Sequence, residues 1–157
     1  MTADERWLDA GQQQTWRAYL AMNQIIGEAL DRQMQRDAGM PHAYYIVLAM
    51  LSERADKTMT MSELARMVGY SPSRLSHAVA RLEEEGWVRR TRHPTDRRTT
   101  LAELTDEGMR TVVAAAPGHV AEVRRVLFDR LTREQSRCLA DVAAAVMSGC
   151  GEVSRFG

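Results

Sequence analysis

Apolar positions along this chain recur three and four residues apart in most segments and alternate only between residues 87 and 104. That pattern predicts a mainly α-helical protein with a small β-hairpin. Residues 12–37 carry the first long stripe, through Trp16, Tyr19, Leu20, Ile26, Leu30 and Met34, closed by Gly39 and Pro41. His42 to Leu51 is a second, more apolar helix. Two short helices follow. The first is capped by Thr60 or Ser62, has Glu63 in its opening turn, buries Leu64, Ala65 and Val68, and stops at Gly69. Ser71-Pro72 restarts the chain as N-cap and first helical residue, and Leu75, Val79 and Leu82 form the inward stripe of the second. Gly86 ends that helix after Glu83-Glu84-Glu85. Residues 87–92 and 99–104 read as the strands of a hairpin, with Leu101 or Leu104 facing inward. Thr105 then caps another helix, which Pro117-Gly118 is expected to kink or break. A helix from His119 to Leu131 follows, and a last one begins after Thr132 with Leu139, Val142, Ala143 and Val146 as its stripe.

Helix, tight turn, helix and hairpin in that order make a helix-turn-helix with a wing, a shape suited to duplex DNA. The outward face of the second short helix holds Ser73, Arg74, Ser76, His77 and Arg81, which are short or basic and rich in donors. Ser73, Arg74, Ser76 and His77 are the expected base-edge readers, with Arg81 and Thr91 meeting phosphates. Net charge is zero over 157 residues, with 21 basic and 21 acidic side chains, so DNA binding must rest on a local patch. The wing supplies one: residues 87–100 hold five arginines and one acid, a local charge of +4. Arg97 suits the wing tip in a minor groove, whereas Arg98 either pairs with Asp96 to stiffen the loop or touches backbone. Arg89, Arg90 and Arg92 alternate faces of a strand, so spacing leaves open whether they meet DNA or solvent.

Asp96-x-Arg98, then Leu104-Thr105, then Gly108 resembles the wing signature of the MarR family (multiple antibiotic resistance regulators), D-x-R-x-x-x-V-x-L-T-x-x-G. Ala102 stands where valine is usual, a smaller side chain expected to weaken packing slightly. The resemblance spans the chain and implies one winged helix-turn-helix domain, residues 1–157. Its DNA-binding lobe would occupy 41–108, flanked by dimerisation helices at 12–37 and 119–149. It also implies a homodimeric transcriptional regulator, usually a repressor, that releases DNA when a small and often aromatic molecule binds. A two-fold dimer would read a pseudo-palindrome with half-sites about 10 bp apart. The apolar faces of the flanking helices point the same way, since a winged helix alone has no use for them.

A ligand cavity in such relatives lies between dimer helices and the DNA-binding lobe. Trp16, Tyr19, His42 and Tyr45 are the candidate lining, with rings and polar tips that suit a phenol or aromatic acid. The same spacing also serves a helix core, with His42 merely opening the helix after Pro41. Met22, Met34 and Met50 are open to the same two readings. Cys138 and Cys150 lie 12 residues apart near the last helix, too far for a bond within it. A thiol-based redox-responsive regulator, or a winged-helix protein-interaction module without DNA binding, are the alternatives. The peroxide-sensing branch of the family carries its cysteine near the start of the first long helix, and none stands there. His42, His77, His93 and His119 are scattered, and no metal spacing or glycine-rich phosphate loop accompanies them, so neither catalysis, metal nor cofactor is expected. No run of about 18 apolar residues offers a membrane span. The polar N-terminus lacks an apolar signal core, which leads to the expectation of a cytoplasmic protein.

Overall fold

Helix α1 (Ala10–Ala38) begins at Asp9, whose side chain accepts from Gln12 N while Gln12 returns the bond to Asp9 N. We describe residues 7–149 in a computed structural model; Cys150 lies outside them. Gly39, at φ 65°, closes α1 in the left-handed region. The chain then doubles back into α2 (His42–Ser52), whose first amide, His42 N, donates to Asp31 Oδ1 on α1 at 2.9 Å. That bond ties the start of α2 to the middle of α1.

Of the two expected caps for α3 (Met61–Val68), Thr60 takes the position: its hydroxyl accepts from Glu63 N at 3.1 Å, and Glu63 accepts from Thr60 N. The Thr60 hydroxyl also donates to Glu63 Oε2 at 2.8 Å, and this bond, with the one from Thr60 N, holds the Glu63 carboxyl below its ordinary range. Gly69 (φ 70°) turns the chain into α4 (Pro72–Glu84), capped by Ser71 with Pro72 at its first position. The hairpin strands are β2 (Val88–Arg92) and β3 (Thr100–Leu104). A further strand, β1 (Thr58–Thr60), adds to β3 and makes a three-stranded antiparallel sheet of order β1-β3-β2. Three residues are too short for an alternation to be visible in sequence. Ala102 is fully buried and faces Met59 of β1 in register, so the flexible methionine fills space beside the small side chain.

One core joins these elements. Met34 of α1, Leu48 and Leu51 of α2, Leu64 of α3, Leu75, Val79 and Leu82 of α4, Val88 and Leu104 of the sheet, and Val112 of the next helix, α5 (Asp106–Val126), are buried together. The Leu104-Thr105-x-x-Gly108 run now has a physical reading. Leu104 enters the core, Thr105 caps α5 and donates to Gly86 O at 2.7 Å, and Gly108 lies against the backbone of Trp87. A Cβ at Gly108 would sit 2.1 Å from the Trp87 carbonyl oxygen, so only glycine fits.

The expected break at Pro117-Gly118 is absent: α5 (Asp106–Val126) runs through both residues as one helix. Pro117 is exposed, so the Val113 carbonyl that loses its bond is left on an exposed turn. Gly118 lets α5 approach α1 closely, since a Cβ there would meet Gln33 Nε2 at 3.0 Å. The helix expected to reach Leu131 ends at Val126 and gives way to a 3-10 turn, Phe128–Arg130, before α6 (Arg133–Gly149). None of the residues of α6 is buried. No described helix is long and apolar enough to cross a membrane.

Candidate nucleic-acid interface

Because Leu75, Ala78, Val79 and Leu82 turn one side of α4 into the core, its opposite side is held outward. Ser73, Arg74, Ser76, His77 and Arg81 are all exposed there, and Thr91 is half-buried on β2. Arg74 is held in place: its guanidinium lies 4.0 Å over the ring of Tyr70, and the Tyr70 hydroxyl donates to Ala43 O on α2 at 3.3 Å. The outward face of α4 is thus anchored to the helix behind it. Tyr70 was missed in the sequence because it falls in the turn, outside any periodic stripe. Arg81 pairs with Glu84 at 2.5 Å, one turn on along the same helix.

The wing arginines divide into two sets. Arg89 forms two bonds to Glu103, its direct partner across the strands, at 2.6 and 2.9 Å. Arg90 donates from Nε to Glu83 Oε2 at 2.7 Å, and its amide donates to Glu83 Oε1 at 2.8 Å. Glu83 is therefore a strut between α4 and the hairpin. Both carboxylates lie outside residues 87–100, so the local +4 counted there is partly offset by the fold.

Arg92 closes the loop by donating from Nη1 to Arg97 O at 2.8 Å. Asp96 accepts from Thr99 Oγ1 at 2.6 Å and from Arg98 N at 3.0 Å, and these two bonds hold its carboxyl below the usual range. It is the Arg98 amide, not the guanidinium, that Asp96 engages. Among the described residues, Arg97 and Arg98 pair with no carboxylate. The wing tip thus presents two uncompensated cations on a loop stiffened from within.

The four candidate ligand residues fall into two separate pairs. Trp16 and Tyr19 stack on each other at 5.7 Å, each 51% exposed, on the first half of α1. His42 and Tyr45 instead join His119 where α1, α2 and α5 meet. His119 lies 5.1 Å from the His42 ring and 4.7 Å from that of Tyr45. Tyr19 and Asp31, the α1 residue bonded to His42, are roughly 18 Å apart along the helix. Gln33, 2% exposed, sits at the same junction against Gly118. Gln33 Oε1, His42 Nε2 and His119 Nδ1 are buried without a hydrogen-bond partner among the described residues. Burial lowers the affinity of both imidazoles for a proton; for His42 the neighbouring His119 lowers it further, while the nearby Asp31 opposes this. Sequence spacing did not reveal His119 and Gln33, which lie on other helices. Met34 is core, and Met22 and Met50 are half-buried. Cys138 is an exposed free thiol on α6.

Comparison with known proteins follows the same lines. The MarR family model matches residues 38–99. The chain is similar to Sco3205, a MarR family transcriptional regulator from Streptomyces coelicolor solved in complex with DNA, with 48% identity, 94% of this chain and 92% of that chain covered, and a TM-score of 0.89. It is similar to CouR from Rhodococcus jostii, solved bound to p-coumaroyl-CoA, with 26% identity over 80% of this chain and 86% of that chain, and a TM-score of 0.71. It is 34% identical over 71 residues to the HTH-type transcriptional regulator PapX of Escherichia coli, a match that covers 45% of this chain and 43% of PapX. That match therefore spans less than half of PapX's own length.

Proposed function

The chain belongs to the MarR family of transcriptional regulators, and from that premise we propose that it is a homodimeric, sequence-specific binder of duplex DNA that represses transcription until a small effector releases it. The observation that carries DNA binding is the pairing of an exposed donor face on α4 with a wing tip whose Arg97 and Arg98 have no acidic partner among the described residues. Ser73, Arg74, Ser76 and His77 read base edges in a major groove. Arg81 and Thr91 hold phosphates, and Arg97 enters the minor groove beside them. The DNA complex of Sco3205 supports this reading. Two copies joined through their exposed α1 and α6 faces would present two such units to a pseudo-palindrome.

The effector site is the junction of α1, α2 and α5. His42, Tyr45 and His119 offer ring faces, and Gln33 offers an unused acceptor, which suits an aromatic molecule bearing a hydroxyl or carboxylic acid. The ligand of CouR, p-coumaroyl-CoA, carries such a ring. Continuous through Pro117, α5 links this junction to the hairpin at Thr105, so a ligand that prefers another α1–α5 spacing shifts the distance between reading helices.

The test is fluorescence anisotropy on a duplex recovered by selection from a random pool, run over a salt series with wild type beside Arg97→Ala/Arg98→Ala. Wild type should bind tightly, and the double variant should lose affinity with a salt slope shallower by about 2. No preference for the selected duplex over random DNA would overturn the proposal. A phenolic acid panel then tests the effector: displacement of DNA from wild type but not from His119→Ala is expected.

A further inference from the structure

The first turn of α3, the first turns of α4 and the wing enclose an open cleft of about 330 Å³. Its walls carry the hydroxyls of Ser62, Ser76, Thr99 and Thr100 and the side chains of Arg90 and Arg98, with Met61 and Pro72 as the apolar remainder. Among the described residues no carboxylate lines it. Arg90 is held from behind, because Glu83 engages its Nε and Nη2 and leaves Nη1 free. Arg98 has no acidic partner among the described residues. The backbone adds donors, since Thr60 satisfies only the Glu63 amide of the first turn of α3 and the Met61 and Ser62 amides donate to no partner among the described residues. Six side chains from four segments of the fold thus turn donors toward one small space.

We propose that this cleft seats a single phosphate of the DNA backbone, so that one strand crosses between the reading helix and the wing. Glu83 is the positioning residue that keeps Arg90 at it. The inference rests on the duplex-binding function proposed above. A tetrahedral anion fits the donor set, whereas an organic ligand would find an open site with little apolar wall. A phosphodiester suits it better than free phosphate. Only Arg98 is uncompensated, enough for one negative charge, and exposed donors on α4 and on the wing flank the cleft where adjoining nucleotides would run. Once filled, the cleft sets the register of the protein on the duplex without reading sequence.

The test is a scan in which each backbone phosphate of the selected duplex is replaced, one at a time, by an uncharged methylphosphonate. Wild type should lose about tenfold in affinity at one phosphate per half-site. Ser62→Asp places a carboxylate in the cleft, where it also favours the N-terminus of α3, so folding is not the casualty. This variant should bind the unmodified duplex about tenfold more weakly, with a salt slope shallower by about 1, and should be indifferent to the methylphosphonate that harms wild type. Glu83→Gln should shrink the penalty at that phosphate alone; a general folding defect would weaken every duplex equally. If Ser62→Asp shows the wild-type profile, the cleft proposal is overturned while duplex binding stands. If inorganic phosphate at constant ionic strength saturates the cleft and the scan is flat, the site belongs to free phosphate and the proposal also falls. If wild type binds no duplex, both this inference and the function beneath it are overturned.

Discussion

Between Met34 and Ala115 the chain packs its large apolar side chains into one core, with Leu48, Leu64, Val79 and Leu82 wholly removed from solvent. Along the first half of α1 and all of α6 the same kinds of residue stand in the open: Trp16, Tyr19, Leu20, Ile25, Val142 and Val146 are each about half exposed or more. Hydropathy does not separate the two regions, since both carry apolar stripes at helical spacing. What separates them is whether another element of the same chain lies opposite. In the lobe, α2, α3, α4, the sheet and α5 close on each other. Helix α6 buries none of its residues, so its stripe meets nothing comparable. An exposed stripe of this size is unfavourable in a lone chain and marks an interface. In the homodimer proposed above, a second copy bringing the same stripes would supply the missing face.

The largest expected effect comes from spoiling that face. Val142→Asp with Val146→Asp should turn a dimer into a monomer in sedimentation equilibrium, while the far-UV signal of the lobe persists. Affinity for the two-half-site duplex should then fall by about 10²-fold or more, because the half-sites are no longer linked. A dimer that survives the double charge would remove the contrast between the two regions. The reverse experiment acts on the lobe. Leu48→Ala removes a wholly buried side chain and should cost roughly 2–5 kcal/mol in urea denaturation, with the association state unchanged. Gly108→Ala should cost about 1–3 kcal/mol, because the new Cβ must displace the Trp87 backbone rather than a side chain.

The smallest effect is a pH dependence where the two regions meet. His42 and His119 have folded proton affinities below the ordinary histidine value of 6.5. Above that value both states are neutral and the pair contributes no pH dependence. As pH falls below it the unfolded chain takes up protons first, so folded stability declines until the folded groups titrate as well. The urea midpoint of wild type should therefore drop between about pH 7.5 and about pH 5.5, and drop less in His119→Asn. An equal drop in both proteins would exclude the junction as its source.

Much of the lobe was readable in advance because its signals are local. Thr60 with Glu63, Ser71 with Pro72, and Thr105 are caps whose partners lie within three residues, and Gly39 and Gly69 stop helices at their own positions. The outward face of α4 follows from the inward one by helical geometry. The wing signature also located Asp96, although its bonds run to Thr99 and to the Arg98 amide rather than to a guanidinium.

The features that escaped the sequence depend on which distant segments come together. Arg89 and Arg90 looked free because their carboxylates, Glu103 and Glu83, stand 14 and seven residues away on other elements. Pro117-Gly118 looked like a break because a breaker is judged by its own helix, whereas here an exposed proline and a glycine facing Gln33 on α1 let α5 continue. His42 drew its ring partner His119 from 77 residues along the chain, while Trp16 and Tyr19, far nearer in sequence, were carried away from it along α1. Capping and periodicity act over a single helical turn, so amino-acid order alone settles them. Ion pairing, close helix approach and ring clustering act through space, so they existed only once the packing of α1, α4, α5 and the sheet had chosen the neighbours.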